Sequence, residues 1–158
     1  MNLQEILNAH PAIQPTSRLL WTAIVTVGQK LDLGPFNGGH RYLVPIIGGE
    51  FHEGPDAKGL SGIILPGGAD RQFVSSEGVK ELDAIYEMQI SDGPVISVRN
   101  QVKIENKTDG DQYALSHITA KVADGPYDWL NRRVIVGTLQ SLRPHHPKVV
   151  IRAWEIDT

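Results

Sequence analysis

The chain has 158 residues, a length typical of one domain and sufficient to bury a hydrophobic core without disulfides or metal ions. It contains no cysteine, which excludes disulfides, thiolate metal sites and a cysteine nucleophile. Its net charge of −3, from 18 acidic and 15 basic side chains, argues against nucleic-acid binding. The N-terminus lacks a basic and apolar leader, and no apolar run approaches the roughly 18 residues of a membrane span. We therefore expect a cytoplasmic protein without nucleic-acid or membrane partners.

Residues 1–15 predict a short helix followed by a break. Leu3, Ile6 and Leu7 recur at helical spacing, and Pro11 and Pro15 end the pattern. We expect this N-terminal helical extension to pack on one end of the domain formed by residues 18–156. Capping an opening there is one role for it.

From residue 18 onward, short segments rich in β-branched residues alternate with turns rich in Gly, Pro and Asn. The predicted strands are 18–27, 41–53, 59–65, 70–75, 79–90, 95–105, 113–122, 129–139 and 148–156. A loop is predicted at 34–39 and a bulge at Gly48-Gly49. Connections mostly under about ten residues favour antiparallel pairing. The sequence predicts a single all-β domain, an antiparallel barrel of about eight or nine strands, since closure removes free strand edges.

Period-two alternation places two polar side chains on apolar strand faces. Tyr86 shares its face with Leu82, Ala84 and Met88, so it points inward. Asn100 falls on the apolar face of the next strand, where a buried amide without partners costs about 1–3 kcal/mol. Two interpretations stay open for this pair. Either both side chains have local partners in the core, or they contact a ligand in a cavity.

Two aspartates are candidates for a general base. Asp70 and Gln72 share a face directly after a Gly-Gly turn. Partial burial would raise the pKa of Asp70 toward neutrality, whereas the alternative is a cap of that turn. Asp83 and Arg99 fall on the polar faces of their strands, where solvated charges are expected. A register slip of one residue would turn Asp83 inward as a substitute base, with Arg99 as a candidate carboxylate anchor.

Further ligand contacts are predicted near the start of segment 129–139. Trp129, Asn131 and Arg133 share one face there, and neither face of the segment is cleanly apolar, as at a barrel rim. Asn131 is a candidate orienting amide. Arg133 is a candidate for bidentate carboxylate binding, and a surface arginine is the alternative.

The histidines do not predict a metal site. None shows the spacing of a zinc motif, although convergence of His40, His52 and His117 in space stays open. His117 lies opposite the apolar face of its strand and is a candidate ligand contact. No phosphate-binding loop or dinucleotide motif is present, so we expect no cofactor.

Four motifs in order carry a family resemblance. They are VPIIGGEFHEGP at 44–55, LPGGADRQFV at 65–74, LDAIYEMQISDGPVISVRN at 82–100 and WLNRRVIVG at 129–137. Together they resemble the DUF3237 (UPF0311) family of small bacterial and fungal proteins, over residues 21–156. The resemblance implies a lipocalin-like or calycin-like antiparallel barrel with a candidate cavity, and no particular activity.

The resemblance also marks positions in this sequence. The positions that match by motif are Gly67, Gly68, Asp70, Asp83, Tyr86, Asp92, Asn100, Leu130 and Asn131. Arg71 departs from the family pattern, which often has Trp there, and the strand around His117 lacks an expected Arg-Thr-Thr-Pro-like run. Both departures affect positions that we expect to line a cavity, so the ligand is expected to differ among relatives.

Three functions remain open. In the first, the barrel binds a small apolar, aromatic or polyketide-like molecule and catalyses isomerisation, dehydration or cyclisation by proton transfer. Asp70 would be the base, Tyr86 the acid or oxyanion donor, and Asn100 and Asn131 the orienting amides. In the second, the cavity only carries or senses a ligand. In the third, side chains fill the barrel and the protein is a structural partner. A homodimer that covers a residual strand edge is a further prediction.

Overall fold

The structure, a computed structural model, describes residues 1–91 and 93–158, so Asp92 of the resemblance lies outside the described residues. Its elements are helix α1 (Leu3–Ala9), ten strands and a 3₁₀ helix η1 (Asp128–Arg132). The strands are β1 (Thr16–Val27), β2 (Leu31–Phe36), β3 (Gly39–Glu53), β4 (Gly62–Ile64), β5 (Gly68–Ser75), β6 (Lys80–Ile90), β7 (Val95–Asn106), β8 (Gln112–Val122), β9 (Val134–Ser141) and β10 (Lys148–Asp157). No helix in the described part of the chain has the length and apolar character to cross a membrane.

Eight strands close into an antiparallel barrel in the order β1, β10, β9, β8, β7, β6, β5 and β3, and β3 pairs back with β1. The two remaining strands fill gaps in this ring. β2 pairs with the first half of β3, and β1 pairs with its second half. β4 lies between β3 and β6, as β5 does, and pairs with the C-terminal part of both strands. The predicted all-β antiparallel barrel with a short N-terminal helix is confirmed.

The β1–β3 ladder that closes the barrel contains a bulge. Thr26 pairs with Gly48 and Val27 pairs with Ile46, so β3 carries one extra residue, Ile47. The bulge bends β3 from its partner β1 toward β2, because an extra residue increases local twist. The bulge therefore lies one residue before the predicted position, Gly48-Gly49, since both glycines pair in regular register with β1.

Two strand predictions are wrong. The segment predicted as a loop, 34–39, contains the second half of β2, which turns into β3 at Asn37-Gly38, where φ is 44° and 75°. Positive φ at both central residues is the geometry of a tight hairpin turn, for which Asn-Gly is a strong signal. The segment predicted to be extended from residue 129 begins instead as η1, whose N–H groups bond to carbonyls three residues earlier, such as Leu130 to Tyr127.

Helix α1 forms but does not pack as predicted. Asn2 and Glu5 form a reciprocal capping box that stabilises its first turn. No residue of α1 is buried, and Leu3, Ile6 and Leu7 remain exposed. The local sequence therefore accounts for the helix, and its apolar residues are not buried against the barrel.

The barrel interior is filled at one end only. At the end where β8 leads into η1, the side chains of Trp21, Phe51, Met88, Ile90 and Leu130 are all at most 1% exposed. The opposite end of the interior is open to a cavity. The barrel is therefore neither fully packed nor hollow throughout.

Candidate functional site

A cavity of about 200 Å³ occupies the barrel half opposite η1. Its walls are mainly aliphatic side chains from β1, β3, β7 and β10: Val25, Val27, Val44, Ile46, Val102, Ile104, Val149 and Ile151. Its polar side chains are Asp70, Gln72, Tyr86 and Asn100 on the walls, and Lys30, Lys80, Ser141 and Arg143 toward the strand ends that form its mouth. An apolar cavity with a few converging polar groups is the usual form of a small-molecule site.

The wall residues carry unpaired polar atoms. Six buried side-chain atoms lack a hydrogen-bond partner among the described residues, and four of them belong to cavity side chains. These four are Asp70 Oδ1, Gln72 Oε1, Tyr86 Oη and Asn100 Oδ1. Because each unpaired buried polar group costs about 1–3 kcal/mol, native proteins contain few of them. Their concentration on one cavity wall is what a site for a polar ligand atom requires.

Strand register explains how these side chains meet. Asp70 on β5 pairs with Ala84 on β6, and Ala84 pairs with Asn100 on β7. The three residues form one row across the inner surface, in which Asp70 and Asn100 lie about 10 Å apart at strand spacing. Tyr86 lies two residues along β6 from Ala84, on the same face. The small Ala84 leaves open the space between the carboxyl and the amide.

The Asp70 carboxyl is held in a partly buried, hydrogen-bonded position. Gln72 Nε2 donates to Asp70 Oδ2 at 2.9 Å. Burial raises the pKa of Asp70, and the Gln72 hydrogen bond and the Lys80 charge oppose this effect. A carboxyl with a raised pKa near an apolar cavity is suited to general acid–base chemistry.

Tyr86 provides a hydroxyl that stays protonated. The side chain is 1% exposed, and burial, together with the nearby Asp70 charge, raises its pKa far above the usual range. Its hydroxyl therefore acts as a hydrogen-bond donor rather than as a phenolate. Asn100, also 1% exposed, presents its amide to the same space.

Asp83 and Arg99 lie on the outer surface of the barrel. Arg99 Nε and Nη2 donate to the two Asp83 carboxylate oxygens at 3.0 and 2.9 Å. This bidentate hydrogen bond lowers the pKa of Asp83. The strand register has no slip at these positions, so neither residue reaches the cavity.

The start of segment 129–139 lies at the filled end. Asn131 accepts a hydrogen bond from Val122 N at 2.8 Å and donates to Val122 O at 2.9 Å. Arg133 Nε lies 3.7 Å from buried Glu155, and Trp129 packs against the core. These contacts attach η1 to β8 and β10, so the structure does not bring these three candidate residues to the cavity.

The histidines do not converge. His117 is exposed on the outer face of β8 opposite Gln101, away from the cavity. His40 contacts Asp32, and His52 lies 3.5 Å from Glu50. Among the described residues, no group of three or more His, Asp or Glu side chains could hold a metal ion.

Sequence reasoning missed the basic residues of the mouth. Lys80 lies on the same face of β6 as Tyr86, so the alternation that placed Tyr86 inside also places Lys80 inside. Lys30 and Arg143 come from turns, for which alternation gives no orientation. Their position beside the cavity becomes apparent only in the folded barrel, where both lie near Lys80.

The profile of one protein family, described as "Protein of unknown function (DUF3237)", matches residues 15–156. The chain belongs to the DUF3237 family. A UPF0311 protein of Rhodopseudomonas palustris (strain TIE-1) is 33% identical over 84 residues, which are 53% of this chain and 52% of that protein. A UPF0311 protein of Clostridium acetobutylicum is 39% identical over 82 residues, 51% of this chain and 49% of that one. This DUF3237 chain thus spans about half the length of the curated relatives it matches.

Solved structures share the barrel. A β-barrel-like protein from Acinetobacter baumannii superposes with a TM-score of 0.84 at 24% identity, over 94% of this DUF3237 chain and 99% of that chain. An enzyme from Penicillium herquei superposes with a TM-score of 0.74 at 22% identity, over 94% and 98% of the two chains. At these identities the similarity shows a common fold.

Proposed function

We propose that this DUF3237 protein binds a small, largely apolar molecule in the barrel and catalyses a cofactor-independent proton transfer on it. One observation carries the proposal: Asp70, Tyr86 and Asn100 converge on one apolar cavity, each with a buried polar atom that has no partner among the described residues. Polar groups alone would also suit a carrier, so the buried carboxyl of Asp70, with its raised pKa, is the feature that favours catalysis. A buried carboxyl beside a protonated hydroxyl is costly to maintain and has a chemical use.

The groups suit chemistry next to a carbonyl. The Asp70 carboxylate takes a proton from the carbon adjacent to the carbonyl, and the electron pair of that C–H bond moves to form an enolate. Tyr86 donates a hydrogen bond to the oxygen, where the negative charge develops. In a β,γ-unsaturated ketone the intermediate is a dienolate. Protonated Asp70 then returns the proton to its γ-carbon, which moves the double bond into conjugation with the carbonyl and completes an isomerisation. The Asn100 amide orients the substrate.

Related reactions use the same two groups. In a dehydration, protonated Asp70 gives its proton to the departing hydroxyl while the enolate electrons form a carbon–carbon double bond. In a cyclisation, the enolate carbon attacks a second carbonyl of the same molecule, and the alkoxide that forms takes the proton from Asp70. The structural relative from Penicillium herquei is described as an enzyme, which supports catalysis by this fold. The apolar walls favour an aromatic or polyketide-like substrate.

The experiment follows proton removal without knowledge of the natural substrate. Acetophenone, cyclohexanone and 2-cyclohexenone are incubated with the protein in D₂O, and loss of the proton signal adjacent to the carbonyl is followed by NMR. We expect exchange above the buffer rate. Tyr86→Phe should slow it by about 10²–10³-fold, the typical cost of losing one oxyanion donor.

Ser116→Ala is the matched control. The Ser116 hydroxyl is also buried without a partner among the described residues, but it does not line the cavity. Neither variant should lower the melting temperature, because neither removes a hydrogen bond within the protein. Binding of the ketones without any exchange would contradict catalysis and favour a carrier. Equal effects of the two substitutions on exchange would contradict the role of Tyr86.

A further inference from the structure

Three basic side chains surround the cavity mouth. Lys80 opens β6 and is half-buried, Lys30 follows β1, and Arg143 follows β9. All three contribute to the cavity wall. They come from three separate parts of the chain, so the barrel itself brings them together.

These cations are not neutralised by ion pairs. Within the described part of the chain, none of the three lies within 4.0 Å of a carboxylate oxygen. Lys30 Nζ instead lies 3.8 Å from the centre of the Tyr42 ring, and Arg143 Nη2 donates to the Gly28 carbonyl at 2.9 Å. These contacts position the two side chains without removing their charge.

The like charges oppose one another at Lys80. Its pKa is lowered first by burial and then by the charge of Lys30, with Arg143 adding to the effect, whereas Asp70 opposes it. Asp32, the carboxylate that faces Lys30, is bonded to His40. In a chain with a net charge of −3, a concentration of unpaired positive charge at a cavity mouth is suited to an anionic ligand.

We propose that the ligand of this barrel is a small aromatic carboxylic acid whose carboxylate binds Lys80, Arg143 and Lys30 at the mouth while its ring enters the cavity. This inference rests on the proposed function for the proton transfer that the bound ligand undergoes, but not for the binding of the ligand. It adds a substrate class: acids rather than neutral ketones.

The dimensions agree with one ring. A cavity of about 150 Å³ holds benzene, whereas drug-sized ligands need about 300–1,000 Å³. The value here, about 200 Å³, suits a single substituted ring. Lys80 and Ala84, which marks the level of Asp70, are four residues apart on β6, about 13 Å along a strand. The lysine side chain spans part of that distance, and a ring with carboxylate and carbonyl at opposite ends spans the rest.

The test compares 4-acetylbenzoate with its neutral amide, 4-acetylbenzamide, by titration calorimetry with the full-length protein. We expect the acid to bind about five- to tenfold more tightly, the range of a partly buried charge contact, and added salt to reduce the difference. Lys80→Met should abolish the preference. Lys121→Met removes the same charge from the exposed outer face at the end of β8 and should preserve it.

A second variant keeps the test independent of folding. Arg143→Met alters an exposed side chain and should reduce the preference for the acid in the same direction. Equal affinity for acid and amide, no binding of either, or an unchanged preference in both variants would overturn the inference.

Proton exchange at the acetyl group, read in the same samples, separates the two proposals. Preferential binding of the acid without exchange would overturn the proposed catalysis and support the anion site. If both compounds exchange their acetyl protons and bind with equal affinity, the anion site is overturned and the catalysis is supported.

Discussion

The ionised carboxylate of Asp70 lowers the stability of the folded protein, which a neutral side chain at this position would not do. Burial disfavours its ionised form, so its pKa in the fold lies above the ordinary value of 3.8. A group with a raised pKa binds more protons in the folded state, so the ionised carboxylate lowers stability as the pH rises from 3.8 through the raised pKa. A residue that weakens the fold while lining a cavity is typical of a functional position.

Asp70→Asn should therefore stabilise the protein at neutral pH and lose function. We expect a higher free energy of unfolding than wild type at pH 7, a gain that shrinks as the pH falls toward 3.8, and ketone exchange reduced by about 10²–10⁴-fold. Urea denaturation between pH 4 and pH 8 measures the gain.

Asp83→Asn is the control, with the opposite sign. The Arg99 hydrogen bond holds the pKa of Asp83 below its ordinary value, so that carboxylate contributes stability above 3.8 that is lost as the pH falls. Its replacement should lower stability slightly at pH 7, because the pair is on the surface. A destabilised Asp70→Asn at pH 7 would contradict the raised pKa.

Alternation along single strands predicted the inward positions of Tyr86 and Asn100 from the sequence. It works because side chains on a strand point to opposite faces in strict order. At Asn131 alternation does not apply. Its segment is not extended, so counting alternate residues there placed it on a ligand-binding face that does not exist.

At the scale of elements, the side chain of Asn131 attaches η1 to the end of β8. Asn131 bonds both the N–H and the carbonyl of Val122, the last residue of β8. This pair of hydrogen bonds holds η1 across the filled end of the barrel, where Leu130 is inserted into the core. The local sequence predicts neither contact, because Val122 is nine residues away along the chain.

Asn131→Ala should destabilise the barrel by about 1–3 kcal/mol, because it leaves both Val122 groups without their partner. Asn131→Asp keeps the acceptor for Val122 N but places a carboxylate oxygen against Val122 O, so it should also be destabilising. Hydrogen exchange of the Val122 amide, measured with the free energy of unfolding, checks both variants. Unchanged protection of that amide in Asn131→Ala would contradict this assignment, and ketone exchange should persist in both variants.

The helix α1 separates local from tertiary determinants. Its capping residues and spacing are present in the first few positions, and the helix forms where predicted. Its packing was predicted from the same apolar residues and is wrong, because an apolar stripe does not specify a partner.

At the scale of the whole molecule, the barrel depends on the pairing of β1 with β3. Gly49 lies at this closure with φ of +135°, and a Cβ there would lie 2.2 Å from the carbonyl oxygen of Ile24 on β1. Gly67, with φ of +108°, has nothing within 4 Å of the same position. The two glycines thus share unusual backbone geometry and differ in the space around them.

Gly49→Ala should cost at least about 3 kcal/mol, because steric displacement of β1 adds to the conformational strain, whereas Gly67→Ala should cost about 1–3 kcal/mol from strain alone. Chemical denaturation of both variants measures the difference. A Gly49→Ala protein as stable as Gly67→Ala would contradict the role of this contact in closure.

The predicted homodimer stays a prediction, since a single chain does not test it.

The sequence by itself determined the class of fold, most strands, the family and the inward direction of Tyr86 and Asn100. These follow from local rules: alternation, turn chemistry and motifs of a few residues. Only the tertiary structure decided that Asp70 and Asn100 face each other across Ala84, that one end is filled and the other open, and that Lys30, Lys80 and Arg143 surround the mouth. Such arrangements depend on the register of strands that are distant in sequence, and register is set by the packing of the closed barrel as a whole.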